Sequence, residues 1–123
     1  MVLKDFYEIK VKKNLGDSRK FGVEIIINKD HSIFTGHFPD NPVMPGVCMI
    51  QIIKEITEEI VGSTLFMETC VNVKFMALIN PEKNSNLDLE IQISEENQKV
   101  KVKNITKFDD TIALKFSASY QKV

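Results

Sequence analysis

The sequence predicts an α+β domain in which one long buried helix is wrapped by an antiparallel sheet. Two patterns and one absence carry that reading. A single apolar stretch follows proline-glycine punctuation at Pro45-Gly46 and runs to Gly62, which marks one helix. Most of the remaining chain alternates apolar and polar residues with a period of two, the signature of half-buried strands. No repeat, low-complexity tract or linker divides the 123 residues, so 1–123 reads as a single domain. A hydrophobic content of 43% against 27% charged residues is enough to build one core.

The elements follow in order. Residues 5–13 alternate, from Phe6 through Lys12, and predict a half-buried strand. Asn14-Leu15-Gly16-Asp17-Ser18 is turn chemistry. A second strand spans Phe21 to Ile27, with Val23, Ile25 and Ile27 on one face and Ile26 off the pattern. Residues 30–46 are irregular, because Pro39, Pro42 and Pro45 fix φ and remove donors that a helix interior or central strand needs. The helix begins at Gly46, apolar nearly all round for two turns, and turns polar at Lys54, Glu55, Thr57, Glu58 and Glu59. It is therefore expected to start buried and end at the surface. Four strand-like segments complete the chain: the apolar run Cys70 to Ile79, then Leu87 to Ile93, Val100-Val102 among lysines, and Ile112 to Phe116. Glu95-Glu96-Asn97-Gln98 and Phe108-Asp109-Asp110 read as hairpin turns between them.

Charge and cysteine usage narrow the function. Sixteen Lys+Arg against seventeen Asp+Glu give a net charge of -1, which disfavours nucleic-acid binding driven by phosphate neutralisation. No apolar run reaches the roughly 18 residues of a membrane span. The start Met1-Val2-Leu3-Lys4-Asp5 turns charged at once, unlike a signal peptide. Cys48 and Cys70 form no CxxC, so a reducing cytoplasm is the expected compartment, with neither a disulfide scaffold nor a cysteine metal site.

The stretch Gly36-His37-Phe38-Pro39-Asp40-Asn41-Pro42-Val43-Met44-Pro45-Gly46-Val47 carries the chemistry. It places an imidazole, the side chain whose unperturbed pKa suits proton transfer near neutrality, at one end of a stiff loop. The other end feeds a helix start whose first N–H groups lack intrahelical partners and can stabilise negative charge on a carbonyl oxygen. A base beside such a site is what proton abstraction α to a carbonyl requires. The competing reading is structural, since a lone histidine beside Phe and Pro in a loop most often only packs.

The run His37-Phe38-Pro39-x-x-Pro42-Val43-Met44-Pro45-Gly46-Val47 resembles the signature of the 3-hydroxyacyl-(acyl carrier protein) dehydratases of the hotdog fold. The order of strands and helix agrees with that fold, and Phe75 followed by Pro81 resembles the family's strand after the helix; residues 84–123 match only in pattern. The resemblance implies that His37 removes the α-proton of a 3-hydroxyacyl thioester. It also implies that the Gly46 N–H polarises the thioester carbonyl and that the Val43 carbonyl holds the other ring nitrogen. The acyl chain would lie in an apolar tunnel along the helix, with Phe38, Met44 and Val47 as further substrate-binding residues. The substrate would arrive on the phosphopantetheine of an acyl carrier protein, with no resident cofactor or metal, and the chain would form a homodimer or a higher oligomer of dimers.

One position departs from the family, whose catalytic acid stands fourteen residues after the histidine. Here that residue is Gln51, and an amide cannot surrender a proton at ordinary pH. Glu55, four residues on and on the same helix face, stands where the family often carries Gln, so acid and amide are exchanged along one face. The plain alternative for Glu55 is an ordinary charge where the helix emerges. Three functions follow: a dehydratase with a rearranged acid, a hotdog subunit that completes its site with a homologous partner, and, disfavoured by the match around Pro42–Gly46, a thioesterase. His31 reads as a surface residue, Cys48 as a buried inert thiol and Met49 as core or tunnel lining. Lys99, Lys101 and Lys103 make a basic strand face that is solvated or meets an acidic carrier protein.

Overall fold

The computed structural model describes residues 5–16, 19–35 and 42–123, Thr35 by its backbone alone. Strands β1 (Tyr7–Asn14) and β2 (Lys20–Ile27) precede a one-turn helix, α1 (Ser32–Thr35), and the long helix α2 (Gly46–Val61). Strands β3 (Leu65–Phe75), β4 (Asn86–Glu96), β5 (Lys99–Phe108) and β6 (Thr111–Lys122) follow. All six strands form one antiparallel sheet in the order β1-β2-β4-β5-β6-β3, and α2 packs on one face of it. This is the hotdog arrangement expected from the sequence.

The alternation decides which residues reach α2. Leu87, Leu89, Ile91 and Ile93 of β4 are all buried, as are Val100 and Val102 of β5. The same face of β5 continues through Asn104 and Thr106, buried polar residues that satisfy each other. The Thr106 hydroxyl donates to Asn104 Oδ1 at 2.9 Å, and Asn104 Nδ2 donates to the Glu90 carbonyl at 3.2 Å. The β4–β5 hairpin closes on Asn97 and Gln98 alone, both with positive φ (49° and 63°), while Glu95 and Glu96 remain in β4.

Helix α2 starts after Pro45, whose extended backbone (φ -62°, ψ 137°) lets its carbonyl accept the first helical amides. It ends at Gly62, left-handed at φ 72°, whose N–H donates to the Glu58 carbonyl. Cys48, Met49, Ile52, Ile53, Ile56 and Thr57 form its buried face. The expected gradient from a buried start to a surface end is therefore corrected. Val47 in the first turn is 68% exposed and Thr57 in the fourth is fully buried, its hydroxyl donating to the Ile53 carbonyl at 2.7 Å. Burial follows one face for the whole length, because the sheet beneath is as long as the helix; a helix of 16 residues spans about 24 Å.

Two further expectations change. The strand expected over Cys70 to Ile79 lies over Leu65–Phe75, since β3 must run beside β6 from Leu65 opposite Lys122 to Phe75 opposite Leu114, and Met76–Asn80 leaves the sheet. His31, expected at the surface, is half-buried. Its Nδ1 accepts the Ile33 N–H at 3.1 Å at the start of α1, and its ring meets Phe6 edge-on at 5.1 Å.

Candidate active site

The segment from Val43 to Gly46 is fixed from two sides. The Met44 N–H donates to the Ile79 carbonyl at 2.8 Å, which ties the stretch before α2 to the stretch after β3. The Pro45 carbonyl accepts the amides of Cys48 and Met49 at 3.0 and 3.4 Å, and so the N–H groups of Gly46 and Val47 stand ahead of the helical ladder. Against Gly46 lies the ring of Phe75. A Cβ at position 46 would sit 2.6 Å from Phe75 Cζ, so only glycine lets the ring close on the helix start.

Between these segments runs an apolar groove of about 440 Å³, lined by Val43, Met44, Pro45, Gly46, Met49 and the stretch from Phe75 to Ile79. The amides of the helix start, without a backbone partner among the described residues, stand beside it. Val43, Met44 and Gly46 all line this groove, Met44 almost wholly buried. Val47 does not line the groove; it points to solvent from the other side of the helix. His37 and Phe38 lie outside the described residues.

Gln51 and Glu55 meet each other but not the groove. They stand about 140° and about 180° around the helix from Gly46, on the side that faces β1. Gln51 Nε2 donates to Glu55 Oε2 at 2.9 Å, and the hydroxyl of Tyr7, on β1, donates to Glu55 Oε1 at 3.0 Å. Burial, and then the adjacent Glu55 carboxylate, push the Tyr7 phenol far above its usual pKa, so it stays a proton-bearing donor. One turn further, Lys12 of β1 pairs with Glu59 at 2.9 Å. Tyr7 was read from the sequence only as a strand residue. The signal that would have found it is a tyrosine in a strand whose pairing brings it beside a helix carboxylate, which a linear reading does not contain.

The remaining candidates are ordinary. Cys48 is buried and its burial raises the thiol pKa, which makes it inert. Lys99 lies 3.8 Å from Glu68, while Lys101 and Lys103 point outward from β5 with no ion pair among the described residues.

Comparison with known proteins agrees with this geometry. Residues 12–116 match the profile of the ApeI-like family, described as ApeI dehydratase. A 3-hydroxyacyl-[acyl-carrier-protein] dehydratase FabZ of Lactobacillus helveticus is 31% identical over 107 residues, 81% of this chain and 70% of the relative. The FabZ of Lactiplantibacillus plantarum is 33% identical over 75 residues, 55% of this chain, and there the match spans only half of the relative's length. Among solved structures, a chain of the dehydratase heterocomplex ApeI:P from Xenorhabdus doucetiae superposes with a TM-score of 0.75 at 18% identity, over 94% of this chain and 97% of that one. A mutant thioesterase from Pseudomonas aeruginosa shares the fold at a TM-score of 0.64 and 9% identity, over 94% of this chain and 81% of that one.

Proposed function

This chain belongs to the ApeI-like dehydratase family, and from that premise we propose that it removes water from a 3-hydroxyacyl thioester to give the 2-enoyl thioester. The observation that carries the reading is the helix start itself: the amides of Gly46 and Val47, which have no backbone partner among the described residues, beside an apolar groove. The thioester carbonyl would take the Gly46 N–H, which stabilises the enolate formed as His37 removes the C2 proton. The C2–H electron pair becomes the new double bond and the C3–O bond breaks. The hydroxyl leaves as water with the proton that the imidazolium returns. Gln51 takes part as a hydrogen-bonding group that orients the hydroxyl, not as an acid.

The site is divided, and this supports a dimer. Gln51 and Glu55 face away from the groove of their own chain, so a second chain must bring such residues to it. An apolar surface for that chain is present: Phe66, Val71, Phe75, Met76 and Leu78 are exposed on or just after β3, an open sheet edge. We read the partner as a second copy. A homologue that supplies a true acid is the alternative, favoured by Gln51 and by the heterocomplex of the ApeI neighbour. An acyl carrier protein would deliver the substrate, and Lys101 and Lys103, with no ion pair among the described residues, would supply charge for an acidic carrier. No helix among the described residues is long and apolar enough to cross a membrane.

Hydration of a 2-enoyl thioester by the pure protein, followed by loss of enoyl absorbance, tests the activity. Turnover supports a self-sufficient dehydratase. Turnover only after adding a homologous chain supports the borrowed partner, and release of free thiol without hydration overturns both in favour of a thioesterase.

A further inference from the structure

The groove beside the helix start runs from an exposed side to a buried one. Phe75, Met76 and Leu78 are exposed, whereas Met44, Met49 and Ile79 are buried. At its edge stand the amides of Gly46 and Val47, without a backbone partner among the described residues and suited to a carbonyl oxygen. Met49 follows Gly46 by three residues, so it stands about 60° around α2 from Gly46 and about 4.5 Å further along. A chain that leaves a carbonyl at Gly46 and turns inward therefore meets Met49 within one helical turn. The groove does not continue past Met49. Ile52, Ile53 and Ile56, the next residues of the buried face, are fully buried and none of them lines it.

We propose that Met49 sets the length of acyl chain this protein accepts, by closing the inner end of the groove. The occupant is the part of the acyl chain beyond C3, and the substrate class is short-chain thioesters. The inference rests on the dehydratase reading above and deepens it. A short chain fills the groove and leaves Met49 in place. A longer one must displace a side chain packed in the core or fold back toward Met76 and Leu78, where its methylenes stay in water. Methionine suits a limit of this kind, because its unbranched thioether yields by rotation before the backbone moves.

Saturated acyl thioesters of increasing chain length, titrated calorimetrically into the whole protein, test this without turnover. Affinity is expected to rise about fourfold for each methylene that finds room, then to stop rising at short chains. Met49→Ala is expected to move that break to longer chains and Met49→Phe to shorter ones. A break unmoved in both folded variants, affinity without a break, or no binding at any length overturns the proposal. Substitution of a buried methionine can also prevent folding. A second measurement therefore uses the wild type. The methyl resonance of Met49, recognised by its loss in the volume-conserving Met49→Leu, is expected to shift only with chains that reach the break. A resonance that shifts equally with the shortest chain, or with none, overturns the proposal. The dehydratase reading fails separately. A break without turnover of any enoyl thioester removes that reading and keeps Met49 as a limit on acyl binding, whereas turnover without a break keeps the reading and removes Met49.

Discussion

Helix α2 has two long flanks, and they are built differently. Toward β1 the contacts are polar and closed within the chain: Tyr7 to Glu55, Gln51 to Glu55, Lys12 to Glu59. Toward β3 they are apolar and open: Gly46 against Phe75, a groove of about 440 Å³, and exposed Val71 and Leu78 at 66% and 74%. The two edge strands repeat the contrast. β1 exposes Lys10, Lys12 and Lys13, a charged edge that discourages pairing, whereas β3 exposes Phe66 and Val71. One flank is closed by the chain's own polar contacts, and the other leaves a groove and exposed apolar side chains.

The largest effect is expected at the loop that enters the helix. His37→Ala should reduce dehydratase or hydratase turnover about 10²–10⁴-fold while circular dichroism stays native, the usual loss for a missing general base. An unchanged rate in a folded variant would remove His37 from the mechanism.

The edges come next. Val71→Lys on β3 should weaken self-association at least about tenfold, or about 1.4 kcal/mol, whereas Val11→Lys on β1 should not change it. Sedimentation velocity over a concentration series decides, and equal behaviour of the two variants would erase the distinction between the edges. Gly46→Ala tests the open flank from inside. Its new methyl would sit 2.6 Å from Phe75 Cζ, the tip of a half-exposed ring that can swing aside, and should cost about 1 kcal/mol or less in urea unfolding. Adding Phe75→Ala should relieve the clash, so the pair is expected to be non-additive.

The smallest expected change is a gain. Gln51→Glu places a carboxyl where the resemblance to the dehydratases expects an acid, beside Glu55, to which the native amide donates at 2.9 Å. Two carboxyls at that distance share a proton, and the pair's upper apparent pKa rises. The proton-donating form is present below that value and lost as pH rises through it. A severalfold gain in turnover is therefore expected on the acid side of neutrality, fading toward alkaline pH. A flat pH–rate profile equal to the wild type would show that position 51 needs no acid.

Much of the architecture was legible because it depends on local rules. Alternation marked the faces of β2, β4 and β5, and Pro45 and Gly62 bounded α2. The four-residue spacing of Gln51 and Glu55 placed them correctly on one face. The limits of local reasoning show at β3. An apolar run cannot say which of its residues pair, and only the register against β6 moved the strand back to Leu65–Phe75. Buried Asn104 and Thr106 were invisible for the same reason, since their burial depends on neighbours that satisfy them.

The sequence by itself determined the fold class, the bounds of the helix and the family, because propensity, periodicity and motif spacing act over a few residues at a time. Only the tertiary structure decided that Tyr7 reaches Glu55, that Phe75 closes on Gly46, and that Gln51 turns away from the groove of its own chain. Those facts depend on strand order and helix rotation, which contacts distant along the chain set together and no single segment encodes.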